Sequence, residues 1–398
     1  MSEVPAVPSA DVVIIGGGIV GSAIAYYLSI AEGAAQRRVV VVERDTGYAE
    51  ASTYRSAGGL RQQFSTPENI AMSQATLGLF RRLEAAFGSG AEVGFREGGY
   101  LLLAALEREA LLTQNVSLQR AHGADIQLLK GSELARRFAW LAMDGVAAGG
   151  FGASGEGWFD PTSLAALMRA AARARGVTVM HDRVIGIDVA NQVEAVTLAR
   201  GSRLPCTHLI NAAGPWAGEL AALAGVCLPV WARKRYVYVI DCRNAPEALH
   251  QAPLTVDVSG VWFRPEGRFF LCGKSPEADQ EPPARDLDQI DHEFFTREVW
   301  PRLAARVPAF EALKVVNAWA GYYDTNTLDH NAVIGAHPQL RNFYFANGFS
   351  GHGAQQSAAA GRAIAELIVH GAFKTIDLTR FGYARIIDNR PLTERNVI

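Results

Sequence analysis

Asp11-Val12-Val13-Ile14-Ile15 runs straight into Gly16-x-Gly18-x-x-Gly21, a helix-length apolar stretch follows, and Val39 to Val42 then closes on Glu43. No other feature restricts the fold as tightly. The first run is short, apolar and β-branched, as expected of a strand buried on both faces. Ile19 to Ser29 has the length and composition of a helix, so the segment reads as strand, turn, helix, strand, the start of a parallel α/β sheet. Gly16 permits the tight turn, Gly18 lets a pyrophosphate approach the backbone, and Gly21 allows the helix to pack closely on the strand. The helix N-terminus offers free N–H groups to phosphates. Glu43 can accept hydrogen bonds from ribose hydroxyls, and its charge argues against a 2′-phosphate.

The same spacing recurs at Gly150-x-Gly152-x-x-Gly155, but it follows no strand signal and leads into Trp158-Phe159-Asp160, so a loop is expected there. Without a second βαβ unit, one bound dinucleotide that takes electrons from an organic substrate is favoured. Val12 to Ile30 is nearly all apolar or Gly, yet Asp11 opens it and it holds four glycines, which excludes a signal peptide or membrane span. The formal charge of −2, from 38 basic and 40 acidic residues, gives no general attraction to nucleic acid or an anionic membrane. Cys206, Cys227, Cys242 and Cys272 have no metal-site spacing; no metal is expected, and free thiols in a reducing, cytoplasmic setting are.

Further along, Ala71 to Phe87 reads as helix and Gly99 to Ala104 as strand. Asp160-Pro161 caps a helix over Leu164 to Ala174, which Gly176 closes before a strand over Val177 to Met180. Another strand ends at Asn211-Ala212-Ala213-Gly214. Between about 226 and 315, alternating runs such as Tyr236 to Ile240 indicate an antiparallel sheet. The fold class is therefore α/β, a Rossmann-like nucleotide domain interleaved with a domain on an antiparallel sheet. Residues 1–90, 151–225 and 316–374 are assigned to the first, 91–150 and 226–315 to the second, and 375–398 to a tail.

Near the C-terminus the chain returns to strand, glycine turn and helix: Phe343-Tyr344-Phe345, Gly348 to Gly353, then Ala358 to Val369. A helix N-terminus there can stabilise negative charge developing on a reduced ring system. Such a return to the N-terminal unit suits an extended FAD better than NAD, although residue physics alone leaves both open.

The strings DVVIIGGGIVGSAIAYYL at 11–28, VVVVERD at 39–45, RSAGGLRQQF at 55–64, NAAGPWA at 211–217 and GFSGHGAQQ at 348–356 resemble the D-amino-acid-oxidase-like superfamily of FAD-dependent amine and amino-acid oxidoreductases. The resemblance spans nearly the whole chain. RQQFSTPENI at 61–70, VWPRLAARVPAFEALKV at 299–315, AWAGYYDTNTLDHNAVIG at 318–335 and the C-terminal tail are most similar to its FAD-dependent oxidoreductase-domain branch, linked to mitochondrial complex I assembly. The resemblance implies FAD contacts from Gly16, Gly18, Gly21, Glu43 and Arg44. It implies others from Arg55, Ser56, Gly58, Gly59, Val184, Ala213 and Gly214, and from Gly348, Gly351, His352 and Gly353. Arg235 matches a carboxylate-binding arginine of the D-arginine dehydrogenase type, and Arg264 sits where relatives also place a cation. Tyr322 and His352 are the candidate active-site polar groups. A basic residue of that dehydrogenase type is replaced by Tyr322, and the lysine that follows GFSGHG-x in sarcosine oxidase by Gln355. One carboxylate anchor of each relative is thus missing from this chain, and substrate identity does not carry over.

The expected function is oxidation of the C–N bond of an amino acid or secondary amine by hydride transfer to flavin N5. The alternative is a flavin-bound assembly or interaction factor for a respiratory complex, with little turnover. The FAD is expected to be non-covalent, because no cysteine lies between 273 and 398. A dehydrogenase is expected rather than an oxidase, with a quinone or electron-transfer protein as acceptor. Leu271 stands where sarcosine oxidase has an oxygen-activating lysine, and Lys274 is expected on the wrong face of its strand.

Overall fold

The computed structural model describes residues 8–395. Its first sheet is parallel at the centre. Ala10–Ile15 lies between Arg203–Asn211 and Val39–Glu43, with Phe343–Asn347 and Thr178–His181 added outside them in the same direction. Val12, Val13, Ile14 and Val40 have no exposed surface, the outcome expected of β-branched runs covered on both faces. Val333–Ala336 closes one edge antiparallel, and Val184–Val189 with Val193–Leu198 forms a meander off Arg203–Asn211.

The register fixes where chemistry can happen. Ile15 pairs with Asn211 and with Val42, and Asn211 pairs with Phe345. The turns at Gly16–Gly18, Ala212–Gly214 and Gly348–Gly353 therefore leave the sheet at one edge, the carboxyl edge where α/β proteins bind ligands. Helices Ile19–Ile30 and Gly353–His370 start at that edge and cross closely. A Cβ on Gly361 would lie 2.6 Å from the Ala23 backbone, so only glycine fits the crossing. Asp160 caps Pro161–Ala174 as expected, accepting from the backbone N–H of Thr162 and Ser163. The stretch read as one helix over 71–87 is two, Pro67–Phe80 and Leu83–Phe87.

The second sheet runs in the order Lys314–Asn326, Val230–Asp241, Phe269–Gly273, Trp262–Glu266, Leu254–Val256, Tyr100–Ala104, Ala148–Gly152, Ile126–Lys130. Only the Leu254–Val256 and Tyr100–Ala104 pair is parallel. Tyr238, Phe263, Phe270 and Phe310 fill the core behind it.

Three expectations change. Gly150 and Gly152 are not in a loop but in strand Ala148–Gly152, where Gly152 makes room for the buried Glu156 carboxylate. The boundary set at 316 moves past 326, because Lys314–Asn326 is hydrogen-bonded along the full length of Val230–Asp241. The tail from 375 is built into the first domain over the described residues: Arg385 donates to Asp329 and to the carbonyls of Asn331 and Ala332, and Glu394 accepts from Ser65 and Asn69. Residues 396–398 lie outside the described ones. Among the described residues no helix is long and apolar enough to cross a membrane.

Candidate active site in the cleft between the sheets

A cleft of about 550 Å³ runs from the carboxyl edge of the first sheet to the face of the second. At its first end Gly16 has φ +102°, and a Cβ there would lie 2.3 Å from the Ala212 carbonyl oxygen. Gly21 faces away from the cleft; its missing Cβ would fall 1.9 Å from the Gly16 carbonyl oxygen, so it sets the helix-to-turn distance. Gly18 lines the cleft with only Thr53 Oγ1 nearby, at 3.4 Å from a Cβ position. In neither the helix it begins nor Gly353–His370 does the N-cap residue's own side chain cap the first turn. Two positive helix ends thus open on one cavity, with Ile19 N already donating to Thr53 Oγ1 at 3.0 Å. Glu43 accepts from Gly17 N at 2.6 Å and Asp45 N at 2.8 Å, which fixes its carboxylate on the cleft wall.

Arg44 lies 3.5 Å above the Trp216 ring and pairs with Glu50 at 2.7 Å. Arg55 donates to the carbonyls of Ala49 and Ala320, Ser56 Oγ accepts from Gly58 N, and Gly58 has its Cβ position 2.0 Å from the Phe159 carbonyl oxygen. Gly59, Val184, Ala213, Gly214, Gly351, His352 and Gly353 all line the cleft. Gly348 does not: its N–H donates to Asp324 at 2.8 Å and it packs on Val230 and Asn326, so it shapes the turn.

The substrate-side expectations fare unevenly. Arg264 does not reach the cleft. Its guanidinium donates to the carbonyls of Ala57 and Pro265 and pairs with Glu266, a structural role that corrects its assignment as a carboxylate anchor. Arg235 does line the cleft, but both terminal nitrogens are bonded to Glu281, at 2.7 and 2.8 Å. Tyr322 pairs in register with Lys234, and its ring sits edge-on to Trp216, both lining the cleft on the sheet face away from Arg235. The tyrosine on the Arg235 face is Tyr323, with the guanidinium 5.6 Å above its ring.

His352 is buried with Nε2 3.1 Å from Arg61 Nη2. Arg61 can only donate, so Nε2 is the acceptor and the ring proton sits on Nδ1. Burial, reinforced by the Arg61 charge, holds the His352 pKa well below its ordinary value, and the ring is neutral. Arg61 is 1% exposed, takes Gln355 Oε1 on its backbone N–H and donates to the Gln63 carbonyl. Behind it, Glu156 is fully buried, accepts from Gln63 Nε2 at 2.7 Å, and has its pKa pushed up to about 7 by burial.

Sequence reading missed Arg61, Tyr323, Lys274 and Asp324 as cleft residues. Arg61 stood inside a quoted string without a role assigned to it. Lys274 was expected to point away, but the strand ends at Gly273, so alternation no longer applies, and Lys274 lines the cleft with Nζ on Glu277 at 2.8 Å. Asp324 accepts from Gly348 N and Phe349 N, and burial raises its pKa to about 6.

The open glycines, the two helix N-termini on the cleft and the fixed Glu43 fit an extended dinucleotide. A family model for FAD dependent oxidoreductases matches residues 11–367. The chain belongs to the FAD-dependent oxidoreductase (DAO) family. The oxidoreductase is 42% identical over 426 residues to FAD-dependent oxidoreductase domain-containing protein 1 of Xenopus laevis, covering 98% of this chain and 85% of that protein. Its fold matches L-proline dehydrogenase from P. horikoshii with a TM-score of 0.82 at 25% identity, over 97% of this chain and 99% of the other. Glycine oxidase from Geobacillus kaustophilus matches with a TM-score of 0.77 at 25% identity, over 94% and 98%. The oxidoreductase is thus an FAD flavoprotein whose fold is shared with those two enzymes.

Proposed function

We propose that this flavoprotein oxidises an amino acid or secondary amine bearing a carboxylate, and passes the electrons to an acceptor other than oxygen. The observation that carries the reading is Arg235, a bidentate cation on the second sheet facing the same cleft as the two helix N-termini. Glu43 and Val184 would receive the adenosine, and Gly18, Ala213 and Gly214 the pyrophosphate. The loop from Arg55 to Gly59, with Gly351 to Gly353, would hold the ring end. No cysteine lines the cleft among the described residues, which supports FAD held without a thioether link.

When bound, FAD supplies a two-electron acceptor for the C–H bond beside the substrate nitrogen, leaving an imine that water hydrolyses. The chain's own residues orient and polarise. Arg235 grips a carboxylate through its fork, which fixes the direction of the adjacent C–H bond. His352, held neutral, positions Arg61 on the cleft wall. The N-terminus of Gly353–His370 favours negative charge nearby.

The dehydrogenase reading no longer draws on the direction of Lys274, which lines the cleft. Its support is the pairing of Lys274 with Glu277, which offsets the positive charge that would stabilise superoxide. A quinone or electron-transfer protein is then the acceptor. Four free cysteines support a reducing compartment, here proposed to be the cytoplasm. The occupied Arg235 fork favours one second reading, a flavin-bound interaction factor for a respiratory complex.

The test is anaerobic addition of a panel of amino acids and secondary amines to the FAD-loaded protein. Bleaching of the flavin band by a panel member supports the enzyme. An unchanged band across the panel supports the interaction factor.

A further inference from the structure

The segment from Ser275 to Ile290 leaves the cleft wall at Ser275, packs over Arg235 and is pinned on both sides. Glu277 takes Lys274 Nζ at one side. At the other, Lys234 Nζ donates to the carbonyls of Arg285, Asp286 and Gln289. Between the pins, Glu281 drops its carboxylate onto Arg235, Oε2 on Nη1 at 2.8 Å and Oε1 on Nη2 at 2.7 Å. Glu281 is extended at φ −60° and ψ 120°, and Pro282 and Pro283 follow, which stiffens the backbone that presents it. Both side chains are 15% exposed, so the pair is covered without being sealed. Among the described residues the Glu281 carboxylate has no other hydrogen-bond partner, and Arg235 Nε is buried without one.

A two-pronged carboxylate on this arginine has the geometry that a substrate carboxylate needs. We infer that Glu281 is a specificity-determining residue: its carboxylate holds the substrate's place on Arg235, so that a ligand enters only by exchanging carboxylate for carboxylate. The inference rests on the proposed amino-acid chemistry of this cleft and deepens it. A ligand with its own carboxylate replaces both charge-assisted bonds and frees Glu281 to the solvent side. A plain amine or an amide offers no second anion, and leaves the latch closed. The binding-competent fraction is the fraction with Glu281 released, and the apparent affinity for carboxylates is reduced by that fraction.

The experiment uses FAD-loaded protein, with propionate and propionamide as probes. Binding is read from perturbation of the flavin absorbance, and opening from hydrogen exchange over 275–290. Glu281→Gln is expected to bind propionate at least about tenfold more tightly than the unaltered protein, with propionamide unchanged. Adding Arg235→Gln to it should abolish the gain. In the unaltered protein, propionate should speed exchange over 275–290 and propionamide should not. Equal propionate affinity with and without Glu281→Gln, or propionate leaving the exchange unchanged, overturns the inference. The amine panel is a separate readout. Bleaching with no effect of Glu281→Gln removes the latch and keeps the enzyme, whereas tightening without bleaching keeps the latch and removes the enzyme.

Discussion

His352 and Arg61 are locked together, Nε2 accepting from Nη2 at 3.1 Å inside the protein, and the contact requires the imidazole to be neutral. The unfolded chain takes up a proton on this histidine near its ordinary pKa of 6.5, while the folded chain resists until much lower pH. The His352 contribution to stability therefore falls as pH drops below about 6.5 and is level above it. In denaturant melts from pH 7.5 to 5, the stability difference between the unaltered protein and His352→Asn should move against the unaltered protein as pH falls. A difference that stays constant over that range would place the acid sensitivity elsewhere.

Glu156 behaves in the opposite sense. Burial raises its pKa from 4.5 to about 7, so the folded chain holds the proton more tightly than the unfolded one. Its contribution is greatest below pH 4.5 and is lost as pH rises through 7, a swing of about 3 kcal/mol at 1.36 kcal/mol per unit. The difference in melting temperature between the unaltered protein and Glu156→Gln should move steadily against the unaltered protein from pH 4.5 to 7. A constant difference over that range would show that Glu156 titrates normally.

Gly21 and Gly18 separate folding from cofactor binding. A Cβ on Gly21 would lie 1.9 Å from a backbone oxygen, so Gly21→Ala should cost the apoprotein about 1–3 kcal/mol or more. Gly18 has φ −60° and only Thr53 Oγ1 within reach of a Cβ. Gly18→Ala should leave apoprotein stability within about 0.5 kcal/mol and weaken FAD retention. Thermal melts of apoprotein and FAD release by dilution check both, and a Gly18→Ala apoprotein as unstable as Gly21→Ala would refute the division.

Arg264 is predicted to act in folding. Arg264→Met leaves the Ala57 carbonyl without its two donors, at a cost of about 1–3 kcal/mol. Denaturant melts should show that loss. Unaltered stability with weakened amine binding would return Arg264 to the substrate side.

The nucleotide half was legible because each of its constraints is local. Gly16, Gly18, Gly21 and Glu43 lie within one strand-turn-helix-strand unit, and the buried strands show it in unbroken β-branched runs. The substrate half was not, because its cleft residues are set by strand ends and register. Lys274 faces the cleft because its strand stops one residue earlier, and Tyr323 rather than Tyr322 shares a face with Arg235 because Gly321 is the residue paired with it. The partner of Arg235 lies 46 residues away on a proline-stiffened segment, and no spacing rule connects them. Gly150 and Gly152 misled in the reverse direction: a glycine-rich run has a weak strand signal, yet here it lies in a fully buried strand.

The central claim is that Arg235 presents a carboxylate-bearing amine to the bound FAD. The most direct measurement is anaerobic stopped-flow reduction of the flavin, first by the panel member that bleaches it and then with Arg235→Met. The account predicts bound FAD and a melting temperature close to the unaltered protein, with substrate affinity weakened roughly ten- to a hundredfold, as expected for the loss of a charge-assisted contact of about 1.5–3 kcal/mol. Reduction at unaltered affinity in Arg235→Met, or loss of FAD from that variant, would contradict it.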